Sequence, residues 1–250
     1  MGQEGVNVRR LLTASLCLAA CLALASPARA AVFTYTSAGA SVTFTTSATQ
    51  ITVHLVNTDG DALAPTDILT AVFFSCTGCG TLTPVSAITS GDTYLGSSVI
   101  LASGSSVGTE WEYLAGLNQY GQTAGISSTG LGIFGSGNFA PGGDALDGPG
   151  WGIVSASDNP ATGNGGVTGV PVTHDDVNFV LSCSTNCSGA TFGTSVTFQY
   201  GTALTEPSVG GTGPGGQNLV PEPTSLLLFG SGLAMTAYRA RRKKLQKKDN

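Results

Sequence analysis

The sequence predicts an all-β domain, an antiparallel β-sandwich with long glycine-rich loops. Apolar residues alternate with polar ones in several short runs, which is the period of a half-buried strand. Valine, threonine and phenylalanine dominate these runs, and such side chains suit a pleated surface. No amphipathic helix of three turns stands out in the same region. The strand candidates are residues 42–44, 51–55, 68–74, 94–101, 131–134, 152–154, 177–181 and 196–200.

Residues 1–30 are predicted to be a secretory signal peptide. Two adjacent arginines precede the apolar stretch 11–25, and Ala28 and Ala30 form an A-x-A cleavage site just before Ala31. An uncleaved anchor is the first alternative, but the stretch is shorter than the roughly 20 apolar residues that a membrane span needs. Lipidation is the second alternative, because residues 18–21 resemble a bacterial lipobox that ends at Cys21.

Charge is distributed very unevenly around the predicted ectodomain, residues 31–206. All ten Lys and Arg lie outside residues 31–220, while that range contains twelve Asp or Glu. A nucleic-acid binder is excluded, since its affinity comes from cations set against phosphates. An enzyme that clamps phosphates by charge is disfavoured for the same reason. Sixteen of the 36 glycines fall within residues 116–169, and glycine costs backbone entropy in strands, so we expect long loops there.

Four cysteines remain after the predicted signal peptide, and they form two close pairs. Cys76 and Cys79 are three positions apart, and Cys183 and Cys187 are four apart. An even number of cysteines in an exported chain predicts two disulfides. Of the three possible connectivities we favour the two local pairs, each of which would pin a loop after a strand. The alternative is a four-cysteine zinc site.

Two acidic pairs are the positions where calcium ligands would be sought. They are Asp144 with Asp147 and Asp175 with Asp176. Calcium prefers six to eight oxygen ligands, which loop carboxylates can supply in part. The sequence favours a simpler interpretation as Asx turns and solvated loop ends. We therefore predict no metal site and no cofactor.

Two other function classes remain as alternatives to a structural protein. A secreted hydrolase would use Ser106, at the centre of a G-x-S-x-G sequence, with His174 and Asp147. That motif needs a strand–turn–helix elbow, which the sequence does not indicate here. A carbohydrate-binding module on the same β-sandwich would use an aromatic platform, for which the candidates are Trp111, Tyr113, Tyr120 and Trp151.

Residues 207–220 are predicted to be a glycine- and proline-rich linker that holds the domain off the membrane. After Pro221-Glu222-Pro223, residues 224–238 are uncharged and mostly apolar. As a helix this run rises about 22 Å, less than the roughly 30 Å of a hydrocarbon core. The basic cluster behind it would stay cytoplasmic, and it includes Arg239, Arg241, Arg242, Lys243 and Lys244. A stable single-span anchor is the alternative.

Three ordered elements in residues 220–250 resemble a known export signal. Val220-Pro221-Glu222-Pro223, the apolar run with Gly230-Ser231-Gly232, and the basic cluster are similar to the PEP-CTERM sorting signal of Gram-negative bacteria. The resemblance implies that exosortase, a membrane-embedded cysteine protease, recognises and removes the tail. Residues 68–74, 83–87 and 196–202 resemble recurring phrases of exosortase-dependent surface proteins, which implies a secreted domain and transfers no active site.

We therefore expect a non-enzymatic surface or extracellular-matrix protein. It would be exported through the Sec translocon, anchored transiently in the inner membrane by residues 221–250, and then placed at the cell surface or outside the cell. Exosortase is the expected partner, and extracellular polysaccharide is a candidate neighbour. Nucleic acid is not an expected partner, because the exported region lacks Lys and Arg.

Overall fold

The computed structural model describes residues 30–213 and 218–220, with side-chain surroundings for residues 30–213. Strands joined by turns make up nearly all of this region, so the domain is all-β as predicted. Residues 1–29 and 221–250, which hold most of the predicted signal peptide and the whole predicted sorting tail, lie outside the described residues. Among the residues described, no helix has the length and apolar character needed to cross a membrane.

Seventeen strands are present in the described region, and they are separated mostly by short turns. A single 3-10 turn (Pro65–Asp67) and one short helix, α1 (Gly165–Thr168), are the helical elements of this region. The strands are β1 (Ala30–Thr36), β2 (Ala40–Thr46), β3 (Gln50–Asn57), β4 (Leu69–Phe74), β5 (Cys76–Thr77), β6 (Leu82–Thr89), β7 (Thr93–Leu95), β8 (Ser98–Leu101), β9 (Glu112–Gln119), β10 (Gln122–Ser127), β11 (Ile153–Val154), β12 (Pro171–His174), β13 (Asp176–Cys183), β14 (Thr191–Phe192), β15 (Ser195–Tyr200), β16 (Ser208–Thr212) and β17 (Asn218–Val220).

Fifteen of these strands form one continuous sheet. Its main path runs β6-β13-β3-β2-β1-β16-β15-β4-β11-β12-β7-β8, while β10 joins β4 to β9, and β17 pairs with β1. All the strand pairs of this sheet are antiparallel except β11 with β12. The remaining strands, β5 and β14, form a separate two-stranded ribbon. The expectation was an antiparallel β-sandwich, and the structure arranges its mainly antiparallel strands in one long main sheet.

Two similar hairpins build the meander β1-β2-β3. In each, a serine hydroxyl accepts a hydrogen bond from the backbone N–H three residues later: Ser37 from Ala40 at 3.1 Å, and Ser47 from Gln50 at 3.0 Å. Such serine turns close a short loop with little help from the rest of the fold. The strands between them alternate buried and half-buried residues, and this alternation places one face of the meander in the core.

Aromatic contacts show that the sheet folds over on itself. The rings of Phe44 on β2 and Phe74 on β4 lie 4.9 Å apart, although three strands separate β2 from β4 along the sheet. Trp111, before β9, meets Phe179 on β13 edge-on at 5.0 Å. Ring pairs of this kind add about 0.5–1.5 kcal/mol beyond the burial of their area. The part of the sheet that contains β2 and β13 and the part that contains β4 therefore share one core.

The glycine-rich region covers the outer face of the central strand. Every residue of β4 is buried, because Leu131, Phe134 and Leu146 pack over Ala71 and Phe73 on the side away from the main core. Of the two strand candidates in this region, residues 152–154 contain β11, while residues 131–134 form a tight turn. In that turn the backbone N–H of Phe134 donates to the carbonyl of Gly130 at 2.7 Å.

The segment predicted as a linker, residues 207–220, contributes two strands to the sheet. Strand β16 pairs with β15 over five residues, and β17 pairs with the start of β1. Glycine suits this position for a packing reason: a Cβ on Gly211 would come within 2.6 Å of the Phe198 ring across the ladder. Low side-chain volume there reflects close packing, and not a flexible chain. The residues between the strands, 214–217, lie outside the described region.

Candidate functional site

The sorting tail leaves the domain directly from a strand. In β17, Leu219 lies opposite Ala31 and Val220 lies opposite Ala30, in antiparallel register with β1. Pro221 follows at once in the sequence. Proline has no N–H for the ladder, and it favours an extended conformation in the residue before it. The described part of β17 thus reaches Val220, the residue before the Pro-Glu-Pro sequence. Sequence reasoning missed this pairing, because its two partners lie at opposite ends of the domain.

The predicted signal-cleavage site lies beside that exit. Ala30 and Ala31 are in β1, whereas Ala28 lies outside the described residues. Ala31 is fully buried, and its backbone N–H donates to Thr46 Oγ1 at 3.2 Å on the β2 side. The start of β1 thus has β2 on one side and β17 on the other. The structure thus places the predicted signal-cleavage residues Ala30 and Ala31 opposite Val220 and Leu219, the last described residues before the Pro-Glu-Pro sequence.

The four cysteines are paired locally. Cys76 is bonded to Cys79 and Cys183 to Cys187, with Cα–Cα distances of 6.0 and 6.3 Å. The two disulfide loops lie side by side, since the N–H of Thr81 donates to the Ser184 hydroxyl at 2.9 Å. The small ribbon of β5 with β14 extends the same contact. These pairs are the connectivity that the sequence favoured over a four-cysteine zinc site.

Unreduced protein from the host is expected to contain no free thiol among these four cysteines. Alkylation under denaturing conditions would leave the intact mass unchanged, and prior reduction would add four alkyl groups. The two loops are short, so replacing either pair by serine should cost only about 2 kcal/mol of stability in the chain-entropy model. Four alkylatable thiols in unreduced protein would contradict the assignment.

The acidic pairs predicted as weak calcium candidates are placed at two different sites. Asp144 and Asp147 lie near Glu110, whereas Asp175 and Asp176 lie at the start of β13. Burial, and then the neighbouring Asp144 carboxyl, raise the pKa of Glu110. Close carboxyls of this kind hold a proton between them more readily than two separate charges. Within the described part of the chain, no three His, Cys, Asp or Glu side chains converge as metal ligands.

Asp176 is the centre of a polar network that the sequence did not predict. Its Oδ2 contacts His54 Nε2 on the adjacent strand and accepts hydrogen bonds from the Ser90 hydroxyl at 3.0 Å and from Asn178 Nδ2 at 3.1 Å. Burial alone would raise the pKa of Asp176, but these hydrogen bonds outweigh burial and lower it. The hydrogen bond to Asp176 raises the pKa of His54 against partial burial. Because the carboxylate lies between the serine and the histidine, the order is not that of a catalytic triad.

This pair is expected to stabilise the domain most in mildly acidic solution. The raised pKa of His54 stabilises the fold fully below the ordinary value of 6.5, and the effect is lost as pH rises through the folded-state pKa. The lowered pKa of Asp176 stabilises it above the ordinary value of 3.8, and that effect is lost as pH falls through the folded-state pKa.

Urea unfolding of the wild type and of His54→Gln checks this window. Near pH 5.5 the wild type should be more stable by under about 1 kcal/mol, because the imidazole is half-exposed and screened. The gap should be narrower near pH 8.5, because the stabilisation is lost as pH rises through the raised folded-state pKa of His54. A difference that is equal at the two pH values would show that the ion pair does not contribute.

The residues of the hydrolase alternative do not come together. His174 Nε2 lies 3.6 Å from Asp158 Oδ2 and has no hydrogen-bond partner among the residues that the structure describes. Burial lowers the pKa of His174, against the opposing effect of the Asp158 carboxylate. Ser106 accepts a hydrogen bond from the N–H of Gly108 at 3.3 Å, and its hydroxyl is not bonded to the imidazole. The structure thus pairs His174 with Asp158, and not with Ser106 and Asp147.

The four aromatic candidates for a sugar platform have structural contacts of their own. Trp111 is fully buried and Tyr113 is nearly so. Tyr120, the most exposed of them, packs edge-on against Phe73, and its hydroxyl donates to Gln199 Oε1 at 2.6 Å. Trp151 is partly buried against the main core. This arrangement favours core and loop-anchoring roles for these side chains over a shared binding face.

Comparison with known proteins assigns the tail. The family model of the PEP-CTERM protein-sorting motif matches residues 219–243, which contain Pro221, Glu222 and Pro223 and reach into the basic cluster. No curated protein and no solved structure matches the chain. The match begins with Leu219 and Val220, which are in β17, and residues 221–243 lie outside the described residues. The chain therefore carries a PEP-CTERM sorting motif, which indicates an extracellular protein sorted by an exosortase.

Proposed function

We propose that this chain is a non-enzymatic surface or extracellular-matrix protein. A signal peptide directs it through the Sec translocon, the tail anchors it transiently in the inner membrane, and an exosortase then cuts the tail. The observation that carries the proposal is the sorting motif at residues 219–243. The sorting motif agrees with the predicted signal peptide, because both signals act on a chain that leaves the cytoplasm.

The charge and the side-chain contacts of the domain support a structural role. Twelve acids and no Lys or Arg between residues 31 and 220 leave a hydrated, anionic surface. A surface of one charge sign resists self-association and stays solvated among other polyanions. The Asp176 Oδ2 atom, where the polar side chains converge, is occupied by hydrogen bonds from Ser90 and Asn178. The aromatic candidates are likewise used in packing.

Substitution of the Pro-Glu-Pro sequence tests the sorting step. The triple variant Pro221→Ala, Glu222→Ala, Pro223→Ala is expected to stay in the membrane fraction of the host at full tail length, while the wild type is released. Pro207→Ala, a proline change before β16 and outside the matched motif, serves as the control and should be processed normally. Release of the triple variant at the wild-type rate and mass would refute exosortase sorting through this motif.

The non-enzymatic assignment has its own test. Released protein is expected to give no signal above buffer on a glycan array and no turnover in an esterase and glycosidase panel. Saturable binding to one glycan class would favour the carbohydrate-binding alternative. Turnover that disappears in Ser106→Ala would favour the hydrolase.

A further inference from the structure

The outer edge of β1 is completed by two different strands. Strand β16 meets β1 at one residue pair only, Thr36 with Thr212. Strand β17, which follows β16 in the chain, pairs with Ala30, Ala31 and Val32 at the start of β1. Without β17, the first residues of β1 would be an open strand edge beside the buried Ala31. β17 is therefore a structural strand of the domain as well as the root of the tail.

An open edge at this position would be unusually hard to protect. Natural proteins guard free strand edges with charged side chains, especially lysine, and with proline or bulges. The described domain contains no Lys or Arg, and residues 30–36 contain neither a charged residue nor proline. The far edge strand β6, by contrast, carries Pro84 and a register shift. Loss of β17 would expose the β1 edge in a domain that has no lysine to cover it.

The matched sorting motif overlaps this strand. Leu219 and Val220 are the first two matched residues and also the last two residues of β17. Proline cannot donate to a ladder, and Pro221 follows Val220 directly in the sequence, so no spacer separates β17 from the remainder of the motif. The boundary between the part that folds with the domain and the part that can be removed therefore falls after Val220.

We propose that exosortase cuts on the C-terminal side of Val220, so that β17 stays hydrogen-bonded to β1 in the released protein. The step is hydrolysis of one peptide bond: water adds its hydroxyl to the new carboxyl end and its hydrogen to the departing amine. The product then has its two processed ends on adjacent strands, Ala31 opposite Leu219. This inference rests on the proposed sorting function, and it adds the position of the cut and a role for the residues left behind.

Intact-mass analysis of the protein released by its host locates both ends. The expected product begins at Ala31 and ends at or beyond Val220, without the basic cluster. A product that lacks the tail but ends before Val220 overturns the proposed cut position and leaves exosortase sorting in place. Recovery of only full-length chain with an uncut tail overturns the sorting function itself, so the two failures are distinguishable.

Hydrogen exchange on the released protein tests the pairing directly. Asn218→Pro changes β17 outside the matched motif, at the residue opposite Val32. It is expected to speed exchange of the Val32 amide by about tenfold or more, because the ladder partner of that residue is displaced. Asn218→Ala is the matched control and should exchange within about twofold of the wild type. Equal protection in the proline variant and the wild type would show that β17 does not hold β1.

Discussion

Gln199→Leu is expected to lower the free energy of unfolding by about 3 kcal/mol or more, since each buried polar group left without a partner costs about 1–3 kcal/mol. Gln199 is fully buried at the end of β15. Its Nε2 lies 2.7–3.3 Å from four backbone carbonyl oxygens, those of Tyr200, Ala203, Glu206 and Pro207. Its Oε1 accepts from the Tyr120 hydroxyl. One amide thus holds the turn between β15 and β16 to the edge of β9 and β10.

Two variants separate this network from the loss of any glutamine. Tyr120→Phe removes only the hydroxyl group that donates to Gln199 Oε1, and it should cost about 1 kcal/mol. Gln50→Leu replaces an exposed glutamine and should stay within about 0.5 kcal/mol of the wild type. Urea unfolding monitored by tryptophan fluorescence measures all three. The prediction fails if Gln199→Leu unfolds at the same urea concentration as Gln50→Leu.

Gly137→Ala is expected to destabilise the domain by about 3 kcal/mol, near the upper end of what overpacking usually costs. A Cβ at this position would overlap the carbonyl group of Thr109. That carbonyl cannot move freely, because it accepts a hydrogen bond from the N–H of Asp144 at 2.9 Å. The N–H of Gly137 in turn donates to the Asp144 carbonyl at 3.0 Å. Three backbone segments therefore meet where only a glycine fits.

The control for this substitution is Gly60→Ala, because Gly60 has no atom within 4 Å of the Cβ position. That variant should change the melting temperature little, whereas Gly137→Ala should lower it by several degrees, at roughly 2–4 °C for each kcal/mol in a domain of this size. Differential scanning calorimetry on the released protein gives both values. Equal melting temperatures for the two variants would mean that the crossing of these loops is looser than the structure has it.

All but one of the strand candidates coincide with strands of the structure, although several strands, among them β1, β6 and β9, were not predicted. The alternation at Ile51, Val53 and Leu55 lies in β3, and that at Val177, Phe179 and Leu181 lies in β13. A strand with one buried face alternates apolar and polar residues, so it can be predicted without knowing which strands lie beside it. The mostly apolar run 68–74 contains β4, which is buried on both faces, and such a run is typical of a strand at the centre of a fold.

The local sequence pattern predicted the wrong secondary structure where glycines allow close packing. Residues 131–134 alternate like a strand, yet Leu131 has a positive φ of 49° and the segment turns back over β4. Ser208–Thr212 has the composition of a linker, yet it pairs with β15 because Gly211 leaves room for Phe198. Whether a glycine loosens the chain or allows a close approach depends on what lies across from it. That neighbour comes from a distant part of the sequence.

Part of the candidate site could be predicted from local sequence and part could not. The sorting signal could be predicted from the Pro-Glu-Pro sequence and the basic cluster alone, because a protease signal is a local chemical pattern. The contact of His54 with Asp176 could not, since it needs β3 and β13 to be adjacent in one register. The pairing of Leu219 with Ala31 needed the same kind of long-range information.

Local sequence was enough to indicate three properties of this protein: its export, its all-β fold and the negative charge of its exported region. Composition, period and the missing N–H of proline act on neighbouring residues, so these properties are readable along the chain. Only the tertiary structure decided that one sheet closes over its own core and that the root of the sorting tail is a strand of that sheet. Strand pairing depends on hydrogen bonds and packing between residues far apart in the chain, and local sequence does not encode the partner.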